Sequence, residues 1–188
     1  MNEFRYSKLL NFAWYQLLWF VAVMWGDTLA WLLLVLLLMH LASVSSLRSE
    51  LQVVVPAALL GCVIDGLIAA AGYYVFDPAP QRLPIPVWLI AIWLGFAGTL
   101  RHSMGWLVAK PRLMTILTCV GAPLTYLAAA RLDAVSFPMG MWPTALIVGL
   151  GWAAIAPVLC WLVERNRQAE RKPSQLFQPM LIREIENG

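Results

Sequence analysis

Long apolar runs, broken by brief polar punctuation, dominate this chain. The first run covers residues 9–25 (LLNFAWYQLLWFVAVMW), stops at Gly26-Asp27 and resumes at once over 28–42 (TLAWLLLVLLLMHLA). Read as one helix it would extend roughly 51 Å at 1.5 Å per residue. A hydrocarbon core is only roughly 30 Å thick. Gly26 is suited to ending a helix and Asp27 to capping the next, so the pair predicts a tight hairpin with spans at 9–25 and 28–47, Ser43 to Leu47 lengthening the second arm. The third span is 52–76, with Asp65 near its middle. Residues 77–86 (DPAPQRLPIP) are too rich in proline for a helix. The fourth span is 86–109 and carries Arg101 and His102. Lys110-Pro111-Arg112 is a short turn, Pro111 fitting the first turn of the next helix. The fifth span is 113–130, where Gly121 and Pro123 predict a kink, and the sixth is 142–163, where Pro157 predicts another. The expected fold class is all-α: a polytopic membrane helical bundle of six transmembrane helices over 1–163. A polar cytoplasmic tail follows over 164–188, either disordered or holding a short amphipathic piece around Leu176 to Ile185.

Composition strengthens this picture. Of the 188 residues, 61% are hydrophobic and 12% charged, against about 25% charged in soluble domains. So few polar residues could not cover a soluble core of this apolar content. Arg5 and Lys8 ahead of the first run, with Thr28-Leu29-Ala30 after it, faintly resemble a signal peptide. The run is long and Trp-rich and more apolar sequence follows, so it is read as an uncleaved first span. Net charge is +3, and its placement sets orientation. Arg5, Lys8, Arg48, Lys110, Arg112, Arg165, Arg167, Arg171, Lys172 and Arg183 fall on one side, Arg82 and Arg131 on the other. The positive-inside rule then puts both termini in the cytoplasm. Trp25, Trp31, Trp88 and Trp142 fall at outer helix ends and Trp106 and Trp161 near inner ends, as an aromatic belt requires. Trp19, Trp93 and Trp152 fall mid-span and are read as packing residues. No basic patch interleaved with aromatics points to nucleic acid.

Helix contacts inside a bilayer depend on small residues that let backbones approach. Gly61, Asp65, Ala69 and Gly72 mark such a face on the third span. Ala91, Gly95 and Gly98 mark one on the fourth, and Ala145, Gly149 and Ala153 one on the sixth. The second span, nearly pure Leu and Val beyond Trp31, is expected to face lipid.

The candidate chemistry is an intramembrane polar site: Asp65, Arg101, His102 and Tyr126. A carboxylate within a span is costly and normally faces the bundle interior with a partner. Arg101 or His102 on the neighbouring antiparallel span is within reach. Such a pair either locks two helices in register or forms part of a site for a polar headgroup, an ion or a proton; a neutral Asp65 is the remaining reading. Arg101 also has a bland reading, snorkelling to the interface, and Tyr126 and Thr125 another, bonding a neighbouring helix. His40 is expected to be interfacial. Cys62, Cys119 and Cys160 lie in apolar runs without a CxxC and are read as packing residues. No HExxH, Walker or GxGxxG pattern occurs, so no metal, nucleotide or other cofactor is expected.

Several motifs recur in an order that resembles a known family. They are Tyr15-Gln16-Leu17-Leu18-Trp19-Phe20, Gly61 with Asp65-Gly66, and Leu83-Pro84 with Val87-Trp88-Leu89. Trp93-Leu94-Gly95-Phe96, Thr99-Leu100 with His102-Ser103, and Gly121 with Pro123-Leu124 and Tyr126 complete the set. Over residues 8–163 the chain resembles the integral membrane proteins of domain-of-unknown-function family 2878. The resemblance implies a bacterial inner-membrane protein, with a context of fatty-acid modification but no assigned activity. Three functions stand as expectations. An accessory or scaffold protein, serving lipid modification with membrane lipids or membrane proteins as partners, requires satisfied polar groups and no sizeable cavity. A small transporter or channel requires a polar path lined by Asp65 and Arg101. A lipid-modifying enzyme requires Asp65, Arg101, His102 and Tyr126 to converge on one pocket, with Arg101 on a headgroup phosphate and His102 as acid or base. The first is preferred and the balance leans away from an enzyme.

Overall fold

The computed structural model describes residues 7–77 and 83–186, with side chains described through Arg171. The expected contributions of Arg5 and Arg82, and of the Lys172 and Arg183 side chains, lie outside the described residues. Helix α1 spans Lys8–Trp25 and ends at Gly26, whose positive φ of 54° is a backbone conformation that glycine adopts without strain. A single 3-10 turn, Gly26–Leu29, leads into α2, Ala30–Ser43. The chain reverses here: the Trp14 Nε1 donates to the Leu36 carbonyl at 2.8 Å, and the Trp14 ring stacks on His40 with centroids 4.6 Å apart. The second arm stops at Ser43 rather than reaching Leu47, because Val44 is extended and Ser46 begins the next helix by accepting from the Ser49 amide.

Helix α3, Leu47–Ala70, ends well short of residue 76. Asp65 therefore sits only about 8 Å from the helix end at 1.5 Å per residue, not near the middle of a span. Helix α4 spans Val87–Ala97. A series of turns and the short α5, Gly105–Val108, follow, so the fourth apolar run is a broken helix and not one helix over 86–109. Helix α6, Pro111–Arg131, begins on its proline and continues helically through Pro123. Helix α7 runs unbroken from Met141 to Glu186, through Pro157. The backbone thus has no break between a sixth span and a tail. Its 46 residues make a rod of roughly 69 Å, far longer than a bilayer core.

Asp27 does not cap α2. Its Oδ1 accepts from the Trp88 amide at 2.8 Å, so it caps α4 and ties the hairpin turn to that helix. Trp88 is accordingly buried, 4% exposed, and is not a belt residue. Trp25, Trp31, Trp106, Trp142 and Trp161 are all more than half exposed. At the same end of the molecule, β1 (Val75–Phe76) pairs antiparallel with β2 (Val135–Ser136), Val75 opposite Ser136, and clips two connections together.

Helix α4 lies at the centre, packed on α1, α2 and α3, while α7 packs on α6 and α3. The outside is apolar: Leu34, Leu38, Leu59, Ile116, Val120 and Leu146 are each more than half exposed. The lipid-facing expectation for the second span holds for one side of α2, since Leu33, Leu36 and His40 are buried. Four helical stretches are long and apolar enough to cross a membrane: Lys8–Ser43 taken as one, Leu47–Ala70, Pro111–Arg131 and Met141–Arg171. An exposed apolar surface of this extent is stable only against lipid.

Candidate functional site

Asp65 is fully buried and three uncharged donors hold it. Tyr74 donates to Oδ1 at 2.8 Å. The Trp93 indole N–H donates to Oδ2 at 2.6 Å, and the Tyr126 hydroxyl donates to the same oxygen. The local sequence explains the arrangement. Gly61 lies one helical turn before Asp65, on the same face of α3. A Cβ at Gly61 would fall 2.1 Å from carbons of the Trp93 ring, so the missing side chain makes the slot through which Trp93 reaches the carboxylate. Trp93 in turn stacks on Trp152 of α7, centroids 4.6 Å apart. The carboxylate therefore joins α3, α4 and α6 with hydrogen bonds supplied by aromatic side chains.

Beside this junction lies a cleft of about 440 Å³. Tyr15 and Trp19 of α1, Phe96 of α4, and Gly121, Thr125 and Tyr126 of α6 are among its lining residues. Apolar side chains dominate its walls, and Trp93, like Tyr126, is among its lining residues. Asp65 and Arg101 are not among the lining residues. The volume is within the usual range for a small-molecule site, about 300–1,000 Å³.

A second polar cluster occupies the other end of α3. Glu50, 2% exposed, receives His40 Nε2 at 3.0 Å on one carboxylate oxygen and His102 Nε2 at 3.1 Å on the other. Arg101 lies with its Nε 3.9 Å from Glu50 and donates through a terminal nitrogen to Glu170 of α7 at 2.8 Å. The turns after α4 place these residues. Asn11 of α1, fully buried, accepts from the backbone and hydroxyl of Ser103 and donates to the Gly98 carbonyl at 3.2 Å. It pins both sides of the break in the fourth apolar run.

The four residues expected to form one site are thus divided between two. Asp65 and Tyr126 meet. Arg101 and His102 gather on Glu50, roughly 22 Å from Asp65 along α3 at 1.5 Å per residue. Among the described residues, Asp65 has no charged partner. His40 is buried rather than interfacial, at 2% exposed. Sequence reading missed Glu50, which looked like the loop edge of an apolar run. It also missed Tyr74, which falls near the end of the third expected span, and Trp93, read as a packing residue. One signal for Trp93 was present: a glycine one turn before an intramembrane carboxylate, facing a tryptophan on the next apolar run.

Fold and surface together define an integral membrane protein of the helical-bundle class. Residues 8–158, most of the chain, match the sequence profile of DUF2878, described as a protein of unknown function. The chain belongs to that family. No curated protein and no solved structure matches it.

Proposed function

We propose that this protein crosses the bacterial inner membrane six times, with both termini cytoplasmic, and holds the acyl chain of a membrane lipid in the cleft between α1, α4 and α6. It acts as an accessory protein of the membrane rather than as a transporter or an enzyme. The observation that carries this reading is the cleft itself: about 440 Å³, walled mainly by aromatic and aliphatic side chains. A scaffold with no sizeable cavity does not fit that volume. A transporter path lined by Asp65 and Arg101 is not favoured, since the two stand at opposite ends of α3 and neither lines the cleft. Convergence of Asp65, Arg101, His102 and Tyr126 on one pocket, which the enzyme reading needs, is not favoured for the same reason.

Six crossings are supported by the reversal at Gly26, which returns His40 to the level of Trp14. They are also supported by the concentration of Glu50, Arg101, Glu170 and the histidines at one end, where Lys110 and Arg112 also lie. Native mass spectrometry of the protein released from mild detergent tests the lipid reading. Gly121 lines the cleft, and a Cβ there would meet nothing within 4 Å, so Gly121→Leu fills the space without a clash at that atom. The expected result is bound lipid on the wild type and its loss from the variant. Equal lipid on both, or none on the wild type, refutes the reading.

A further inference from the structure

His40, Glu50 and His102 come from three different segments: the end of α2, the start of α3 and the turns after α4. Yet one donor atom of each lies within 4.8 Å of the other two. We propose that these three residues form a binding site for a first-row divalent transition metal ion.

The donor set is the first argument. Two imidazole nitrogens and a carboxylate suit zinc, ferrous iron and their neighbours, whereas magnesium and calcium prefer all-oxygen sites. Spacing is the second. Ligands about 2.0–2.2 Å from a shared ion lie roughly 3–3.5 Å from one another. His40 Nε2 lies 3.0 Å from one oxygen of Glu50 and His102 Nε2 lies 3.1 Å from the other, so an ion between the two rings would meet the carboxylate through one oxygen or both. Both histidines direct the same ring atom, Nε2, at the carboxylate. Orientation is the third. The Trp14 ring lies flat on His40 with an interplanar angle of 18°, and Asn11 fixes the turns that carry His102 through Gly98 and Ser103. These supports stiffen the ligand positions before an ion binds, as a metal site requires. His102, 20% exposed, lies on the accessible side of a site whose other two members are 2% exposed.

The charge balance is workable. Arg101 opposes a cation, but its terminal nitrogen is turned to Glu170 at 2.8 Å while its Nε stays 3.9 Å from Glu50. Two carboxylates therefore face one guanidinium and the ion. Three ligands leave room at the ion for water or a further ligand. His40, Glu50 and His102 are not among the residues that line the lipid cleft, although Ser103, next to His102, is.

The test uses full-length protein in detergent, stripped with chelator and titrated with Co²⁺, whose visible absorption reports coordination, followed by displacement with Zn²⁺. The wild type is expected to saturate near one equivalent. His102→Ala and Glu50→Gln are expected to weaken binding by more than the roughly 10–100-fold that loss of a supporting partner costs. Size-exclusion profiles check that both variants remain folded. His102→Ala, at a partly exposed turn, still serves if Glu50→Gln does not fold. A wild type without saturable absorption overturns the proposal on its own. So does a folded variant that binds Co²⁺ as tightly as the wild type.

Discussion

Gly61→Ala adds one methyl group, and the structure gives it nowhere to go. The new Cβ would lie 2.1 Å from two ring carbons of Trp93 and 2.3 Å from a third, where carbon contacts settle at about 3.5–4.0 Å. The atoms are in a fused ring, not at the end of a flexible chain, so the whole indole must shift or α3 and α4 must separate. Either movement strains the 2.6 Å bond to Asp65 and the stack on Trp152. Overpacking a well-filled site costs about 1–3 kcal/mol. Weakening a buried bond to a carboxylate costs about 1–3 kcal/mol more, for a total of about 2–6 kcal/mol. Denaturation in detergent, followed by tryptophan fluorescence, measures the loss. A double-mutant cycle identifies its source: in a Trp93→Leu background the same methyl is tolerated, giving a coupling of about 1 kcal/mol or more. A Gly61→Ala protein within about 0.5 kcal/mol of wild type, the range of an inconsequential surface change, refutes the slot argument. So does the same loss in both backgrounds.

Asp65→Asn exchanges an acceptor oxygen for an NH2 group. With the amide oxygen turned to Trp93 and Tyr126, the new NH2 meets the Tyr74 hydroxyl, which accepts from it while donating to the Asp65 backbone carbonyl at 3.1 Å, so Asn is tolerated. Asp65→Leu, which leaves the Trp93 and Tyr126 donors without an acceptor, is expected to lose about 1–3 kcal/mol, read from the unfolding midpoint; an unchanged midpoint counts against the three-donor junction. Topology is checked with a membrane-impermeant maleimide on single cysteines in a background lacking Cys62, Cys119 and Cys160. Ser46→Cys and Ser7→Cys are expected to be shielded in intact cells and Asp133→Cys labelled. Labelling at 46 from outside means that Lys8–Ser43 crosses only once, and six spans are lost.

Much of the architecture is legible in the sequence, because lipid imposes one rule: backbone groups must bond within their own segment. The apolar runs therefore mark the helices, and Gly26 marks the hairpin turn. What the sequence does not reveal depends on tertiary partners. Asp27 looks like a cap for the helix that follows it, but its acceptor is satisfied by the Trp88 amide, distant in sequence. The break after Ala97 has no proline; Asn11 of another helix stabilises it, and no local signal announces that. The polar site shows the same limit. Asp65 stands out because a carboxylate in an apolar run is expensive. Its partners do not, because tyrosine and tryptophan look the same in sequence whether they donate a hydrogen bond or merely fill space. Glu50 lies at the margin of its run, so its burial depends on what α2 and the turns after α4 bring to it.

The lipid cleft is tested most directly by photolabelling in bilayers. Protein would be reconstituted with a phospholipid carrying a diazirine on its acyl chain, irradiated and mapped by peptide mass spectrometry. Labelling is expected to concentrate on α6 around Thr125 and on α1 around Tyr15 and Trp19, and to fall to the level of the outer faces of α2 and α7 in Gly121→Leu. Labelling spread evenly over the exposed leucines of every helix, and unchanged by that substitution, would contradict a lipid-holding cleft.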